Sequence, residues 1–142
     1  MMKNIEPYLI FNGNCAEAFA FYESVFEVKT AFMCRYRDLP EAQKSAIAEA
    51  DLDKVVHALL PVSKQVFLMG ADAENSAENT TGKNVCLMLN VENEPEARRL
   101  FEKLSENGQI ICSLQKTPWA ELYAQFADKF GINWMIHYLV EN

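Results

Sequence analysis

The feature that most constrains the fold is an internal repeat, because the same order of elements occurs in each half of the chain. Each half opens with a short apolar run, residues 8–11 in the first and 85–89 in the second, and such runs predict buried strands. An Asn-x-x-Glu segment and a helical apolar stripe follow each run. A repeat of this length predicts two copies of one supersecondary unit.

Both predicted helices begin at an asparagine. Asn14 and Asn93 are each predicted to accept a hydrogen bond from the amide three residues on, and the glutamate there to reach back as in a capping box. The apolar stripes comprise Cys15, Ala18, Phe19, Tyr22, Val25 and Phe26 in the first helix, and Ala97, Leu100, Phe101 and Leu104 in the second. The pair Asn107-Gly108 predicts a left-handed end to the second helix.

Three further strands are predicted after each helix. They cover residues 30–36, 55–62 and 66–71 in the first half, and 109–114, 122–127 and 133–140 in the second. The pattern predicts an α+β fold of tandem βαβββ repeats, about residues 5–72 and 83–140, in a single domain. Two segments break the symmetry: residues 38–51 predict a short helix that starts at Pro40, and residues 72–83 predict an exposed linker.

Charge and hydropathy exclude several kinds of partner. Lys and Arg number 13 against 20 Asp and Glu, and the formal net charge of −7 repels phosphate backbones, so we expect no nucleic-acid partner. No apolar run is long enough to span a bilayer, and the first residues lack the apolar core of a signal peptide. We therefore expect no membrane partner and a cytoplasmic location. The four cysteines form no Cys-x-x-Cys motif, which favours reduced, mostly buried thiols over disulfides.

Several short motifs spread over the chain carry a family resemblance. They are Pro7-Tyr8-Leu9, Phe11-x-Gly13-Asn14-Cys15-x-Glu17-Ala18, Phe21-Tyr22, Arg35-Tyr36-x-Asp38-x-Pro40, Val56-His57-Ala58-x-Leu60, Thr117-Pro118-Trp119 and Asp128-Lys129-Phe130-Gly131-x-x-Trp134-Met135. In this combination the chain resembles the PhnB-like branch of the vicinal-oxygen-chelate superfamily, which includes glyoxalases, bleomycin-resistance proteins and dioxygenases. It departs from the branch at Glu27 and Ala120, where glycine is usual.

The resemblance implies a glyoxalase-like architecture, in which curled, partly closed mixed sheets enclose a small-molecule cavity and the helices pack outside. It also implies a homodimer, possibly with exchanged halves, because cavities of this kind often form only when two halves or two subunits pair. A segment such as 72–83 would make that exchange easy.

Metal-binding members of the superfamily take His, Glu or Gln ligands from the first and last strands of each half. The corresponding positions here are Pro7 or Tyr8, residues 67–69 with Met69 among them, Cys86 and Met135. None offers the oxygen or imidazole ligands that hard divalent ions prefer, so we predict no metal and no cofactor. Cys86 with a methionine would suit a soft ion such as Cu(I), although buried sulfur more often serves packing.

Four polar or aromatic side chains remain as candidate ligand contacts besides Tyr8. His57 and His137 are either acid–base or hydrogen-bonding groups in the cavity, or core histidines bonded to a carbonyl; alternation places His137 on the face of Met135. Arg35 either holds an anionic substrate group or forms a surface salt bridge with Asp38 or a nearby glutamate. Trp119 either closes the cavity as an aromatic wall or packs in the core.

Three functions fit these residues. The first is a metal-independent small-molecule-binding protein, possibly a resistance or sequestration protein. The second is an enzyme that uses His57, Arg35 or Cys86 in acid–base or nucleophilic chemistry, and the third is a metal lyase, isomerase or dioxygenase. Members of the branch are sometimes labelled methyltransferases, but the scattered glycines form no Gly-x-Gly nucleotide turn. The order of elements also lacks alternating parallel strands and helices.

Overall fold

The computed structural model describes residues 2–73, 82 and 84–140. The chain divides into two compact units, Met1–Thr80 and Thr81–Asn142, called here the first and second units. None of the helices in the described ranges is both long and apolar enough to cross a membrane.

The first unit forms a four-stranded mixed sheet with one long helix. Its elements are β1 (Tyr8–Phe11), α1 (Cys15–Phe26), β2 (Phe32–Arg35), a short α2 (Glu41–Lys44) between 3-10 turns at Tyr36–Asp38 and Glu49–Asp51, β3 (Val55–Pro61) and β4 (Phe67–Asp72). The strand order is β1-β4-β3-β2, with β1 and β4 parallel and the other neighbours antiparallel. As predicted, a short helix follows Pro40.

The second unit repeats this order of elements. It contains β5 (Leu87–Val91), α3 (Glu94–Leu104), β6 (Gln109–Thr117), β7 (Ala120–Ala127) and β8 (Asn133–Tyr138). The strand order is β5-β8-β7-β6, again with the first and last strands parallel. The predicted α+β class with a βαβββ order in each half is confirmed; strand ends differ from the predicted ones by up to about three residues.

The core of the first unit lies between α1 and one face of its sheet. Of the predicted helical stripe, Cys15, Ala18, Phe19, Tyr22 and Val25 are buried, and Leu9 and Phe11 of β1 are buried beside them. Gly70 of β4 allows the helix to approach closely, because a Cβ there would lie 2.8 Å from the Phe19 ring. Burial of these large side chains supplies most of the drive to fold.

The start of α1 differs from the prediction. Asn14 makes no side-chain capping bond; instead the carboxylate of Asp72 accepts from the backbone amides of Gly13 at 3.0 Å and Cys15 at 2.9 Å. Its other oxygen accepts from Val55 N at 2.8 Å. Asp72 is therefore the buried end of β4, and its assignment to an exposed linker was wrong. Residues 74–81 and 83 of that predicted linker lie outside the described part of the chain.

The ends of α3 follow the local prediction more closely. The Asn93 side chain accepts from Glu96 N at 2.9 Å, as expected of an N-cap. The left-handed residue after the helix is Asn107, with φ 60°, and not Gly108. Gly108 is needed for packing, since a Cβ there would collide with the carbonyl oxygen of Ala127. Glu27, found where the family usually has glycine, adopts the left-handed conformation at the end of α1.

Candidate ligand-binding faces

Each sheet has one face against its helix and one face turned away from it. In β1, Leu9 and Phe11 are buried on the helix side, so Tyr8 and Ile10 point to the opposite side. We call this opposite side of the first sheet the Tyr8 face; its side chains are Tyr8, Ile10, Phe32, Cys34, His57, Leu59 and Met69. The corresponding surface of the second sheet is the His137 face, formed by Met88, Asn90, Cys112, Gln115, Tyr123, Gln125, Met135 and His137.

The Tyr8 face brings together three of the residues predicted to contact a ligand. Tyr8 lies opposite Met69 in the parallel pair, and its Oη is 3.1 Å from His57 Nδ1. The rings of Tyr8 and His57 are stacked, with centroids 5.7 Å apart, and the Phe32 ring lies 6.0 Å from the His57 ring. The alternative that His57 bonds to a backbone carbonyl in the core is therefore not what the structure shows, because its Nδ1 pairs with Tyr8.

The electrostatics of this pair favour a hydrogen-bond donor. Burial, and to a smaller extent the Cys15 thiolate charge, raises the pKa of Tyr8 above its usual value, so the phenol stays protonated at neutral pH. When the imidazole is neutral, the pair carries two polar hydrogens, one on oxygen and one on a ring nitrogen. One of them is used between the two side chains, which leaves the other to point at a bound acceptor.

Arg35 lies apart from this pair. Cys34 is opposite His57, and the next residue, Arg35, points to the other side of the strand. Its Nη1 donates to the backbone oxygen of Asp53 at 2.6 Å, and its backbone amide donates to Asp38 at 2.9 Å. The surface ion pair of this region joins Arg37, which sequence reasoning did not single out, to Asp53 at 2.9 Å.

Two rows of side chains cross the His137 face. Asn90, His137, Tyr123 and Gln115 are successive cross-strand partners over all four strands; we call them the polar row. The second row, beside it, consists of Met88, Met135, Gln125 and Cys112. The β5 partner of Met135 is therefore Met88, whereas Cys86 lies two residues earlier and accepts from Gln125 Nε2 at 3.7 Å. Register, which the sequence does not reveal, identifies Met88.

Trp119 stands beside the polar row in the connection between β6 and β7. Its side chain is 58% exposed, and its ring meets the Tyr123 ring edge-to-face with centroids 5.7 Å apart. The alternative of ordinary core packing for Trp119 is thus wrong. Burial raises the pKa of Tyr123, with smaller contributions from the charges of Cys112 and Cys86, so Tyr123 is also neutral at physiological pH.

Groups of potential metal ligands were sought across the same part of the chain. Within residues 2–73, 82 and 84–140, no three or more His, Cys, Asp or Glu side chains lie close enough together to hold a metal ion. His57 and His137 belong to different units. The positions that correspond to the superfamily's metal ligands carry Tyr8, Met69 and Met135, with Met88 or Cys86 at the fourth.

The four cysteines are free, but only Cys15 is buried; Cys34, Cys86 and Cys112 are half-buried, so the prediction of mostly buried thiols was too broad. Burial, together with the nearby Asp72 carboxylate, raises the pKa of the Cys15 thiol to about 12, and Arg35 opposes this weakly. The thiolate is the reactive form. We expect a thiol reagent at pH 8 to label the other three cysteines first and Cys15 only after unfolding, as mass spectrometry of peptides would show. Early labelling of Cys15 would contradict this arrangement.

Similarity to known proteins agrees with the geometry. A family model described as 3-demethylubiquinone-9 3-methyltransferase matches residues 3–137. The chain belongs to this family. Protein PA1353 from Pseudomonas aeruginosa is 36% identical, and its crystal structure superposes with a TM-score of 0.86 over 99% of this chain and 100% of that one. Protein YjdN from Escherichia coli K12 is 27% identical over 137 residues, 94% of this chain and 93% of YjdN.

More distant structures connect this methyltransferase-type family to a wider fold. A putative 3-demethylubiquinone-9 3-methyltransferase, PhnB protein, from Bacillus cereus is 24% identical, with a TM-score of 0.79 over 96% of this chain and 99% of that one. A glyoxylase/bleomycin resistance protein/dioxygenase domain from Frankia sp. EAN1pec is 10% identical, with a TM-score of 0.68 over 100% and 96% of the two chains. The predicted PhnB-like membership and glyoxalase-like fold are confirmed.

Proposed function

We propose that this PhnB-like protein binds a small organic molecule on the Tyr8 face and does so without a metal ion. The observation that carries the proposal is the Tyr8–His57 hydrogen bond, a polar pair set among exposed apolar side chains. Ile10 is 44% exposed and Phe32 52% exposed on the same face. Apolar surface with a few convergent polar groups is typical of ligand sites.

The chemistry of the pair indicates what end of a ligand it would meet. One polar hydrogen remains after Tyr8 and His57 bond to each other, so the pair suits an acceptor such as a carbonyl or a carboxylate oxygen. Phe32, Leu59 and Met69 would cover the apolar body of the ligand. The glyoxalase/bleomycin-resistance fold of the chain supports this proposal, because the names of its relatives include a resistance protein.

A thermal-shift screen of small ketones and monocarboxylates, on protein treated with a metal chelator, tests the proposal. We expect at least one compound to raise the melting temperature. Tyr8→Phe, which removes only the hydroxyl, should then weaken its binding about 3- to 10-fold, the worth of one hydrogen bond. Tyr36→Phe in the same unit is the matched control and should bind normally. Binding that disappears on chelation and returns with Zn²⁺ or Ni²⁺ would contradict metal independence.

An enzyme is the second candidate, and the same hydrogen bond favours it, because a His–Tyr pair can move a proton near neutral pH. The other groups considered for such chemistry lie elsewhere: Arg35 is bonded to Asp53, and Cys86 belongs to the second unit. Turnover of a compound found in the screen, abolished by His57→Asn, would support the enzyme over the binding protein. Homodimer formation remains a prediction, which light scattering tests.

A further inference from the structure

The polar row differs in chemistry from everything on the Tyr8 face. Its four members, Asn90, His137, Tyr123 and Gln115, carry amide, imidazole, phenol and amide groups that both donate and accept hydrogen bonds. The cross-strand row of the first sheet that joins Tyr8 to Phe32 through Met69 and Leu59 has one polar group, the Tyr8 hydroxyl. The two halves therefore share a fold but present different ligand chemistry.

The polar row keeps hydrogen-bonding capacity for a ligand. His137 Nδ1 lies 3.3 Å from Asn90 Oδ1, and Gln115 Nε2 donates to Cys112 Sγ at 3.0 Å. When His137 donates through Nδ1, these bonds leave the Asn90 amide hydrogens, the Gln115 carbonyl and His137 Nε2 for other partners. Donors and acceptors therefore alternate across neighbouring strands about 5 Å apart.

An exposed aromatic ring completes the surface. The Trp119 indole stands edge-to-face against Tyr123 and is more than half exposed, so one flat face of it can cover the ring of a ligand beside the row. Neither the row nor Trp119 supplies a carboxylate, an ammonium or a guanidinium group, which a charged ligand would require.

We propose that the His137 face is a second binding site, for a neutral polyhydroxylated ring such as a saccharide. Vicinal hydroxyls each donate and accept, as the alternating groups of the polar row do, and the C–H face of a sugar ring packs against an aromatic plane. The site goes beyond the proposed function, because it uses other residues in the other unit and takes a different class of ligand.

Tryptophan fluorescence provides a local test, because Trp119 is exposed while the second tryptophan, Trp134, is buried. Titration with glucose, N-acetylglucosamine and trehalose should shift the emission to the blue with a millimolar dissociation constant. Trp119→Phe should remove the shift. Asn90→Ala and Gln115→Ala should each weaken binding about fivefold or more, whereas Gln43→Ala, an exposed glutamine in α2, should not.

A direct NMR measurement keeps the test independent of how the variants fold. In the unaltered protein, the sugars should move the side-chain amide resonances of Asn90 and Gln115. The proposal fails if none of the sugars alters Trp119 emission or these resonances, or if Asn90→Ala and Gln115→Ala both retain full affinity. Such a failure would leave the Tyr8 face untouched, since its test uses ketones and carboxylates and the Tyr8→Phe variant.

Discussion

Replacement of Asp72 by alanine is expected to lower the free energy of unfolding by about 4 kcal/mol. The buried carboxylate accepts from the backbone amides of Gly13, Cys15 and Val55, and alanine would leave these donors unpaired at the junction of α1 with β3 and β4. Hydrogen bonds to a charged acceptor contribute more than neutral ones, and unmade buried bonds are costly. Urea unfolding at neutral pH, followed by circular dichroism, measures the loss.

Two further variants show whether the effect comes from these bonds. Asp72→Asn keeps one acceptor oxygen but turns an amide group toward a backbone donor, so we expect roughly half of the alanine effect. Asp51→Ala removes a carboxylate that makes an exposed ion pair with Lys54, and should cost less than about 1 kcal/mol. An Asp72→Ala loss as small as that of Asp51→Ala would show that Asp72 does not anchor α1.

Asp128→Ala is expected to cost about 3 to 4 kcal/mol in the second unit. Asp128 is buried in the turn after β7, where one oxygen accepts from Phe130 N at 2.8 Å and Ile132 N at 3.1 Å. The other accepts from the indole Nε1 of Trp134 at 2.9 Å. Its loss would release the turn to β8 and leave a core indole without its partner. Chemical unfolding again gives the magnitude, and the emission of Trp134 reports the local change.

A double-mutant cycle isolates the indole bond. Trp134→Phe removes the donor, so Asp128→Ala should cost about 1 to 2 kcal/mol less in that background than in the unaltered chain. Additive losses would mean that the turn amides alone account for the stabilising effect of Asp128.

The class of the fold was predictable because it depends on local patterns that occur twice. Alternation identified strands, the helical stripe identified Ala97, Leu100 and Leu104 as buried positions, and the cap at Asn93 uses an amide only three residues away. The helix start at Asn14 has the same local signal, yet Asp72 caps α1 from the end of β4. A carboxylate that is distant in sequence can displace a local cap, and no local pattern indicates when this happens.

The candidate sites show the same division. The sequence by itself determined the family, the repeated βαβββ order and most of the residue types available for binding, because these follow from composition, periodicity and motifs. Only the tertiary structure decided that Tyr8 bonds to His57, that Arg35 faces away from them and that Met88 stands opposite Met135. Those relations depend on the register between strands, and a shift of one residue turns every side chain to the other face of the sheet.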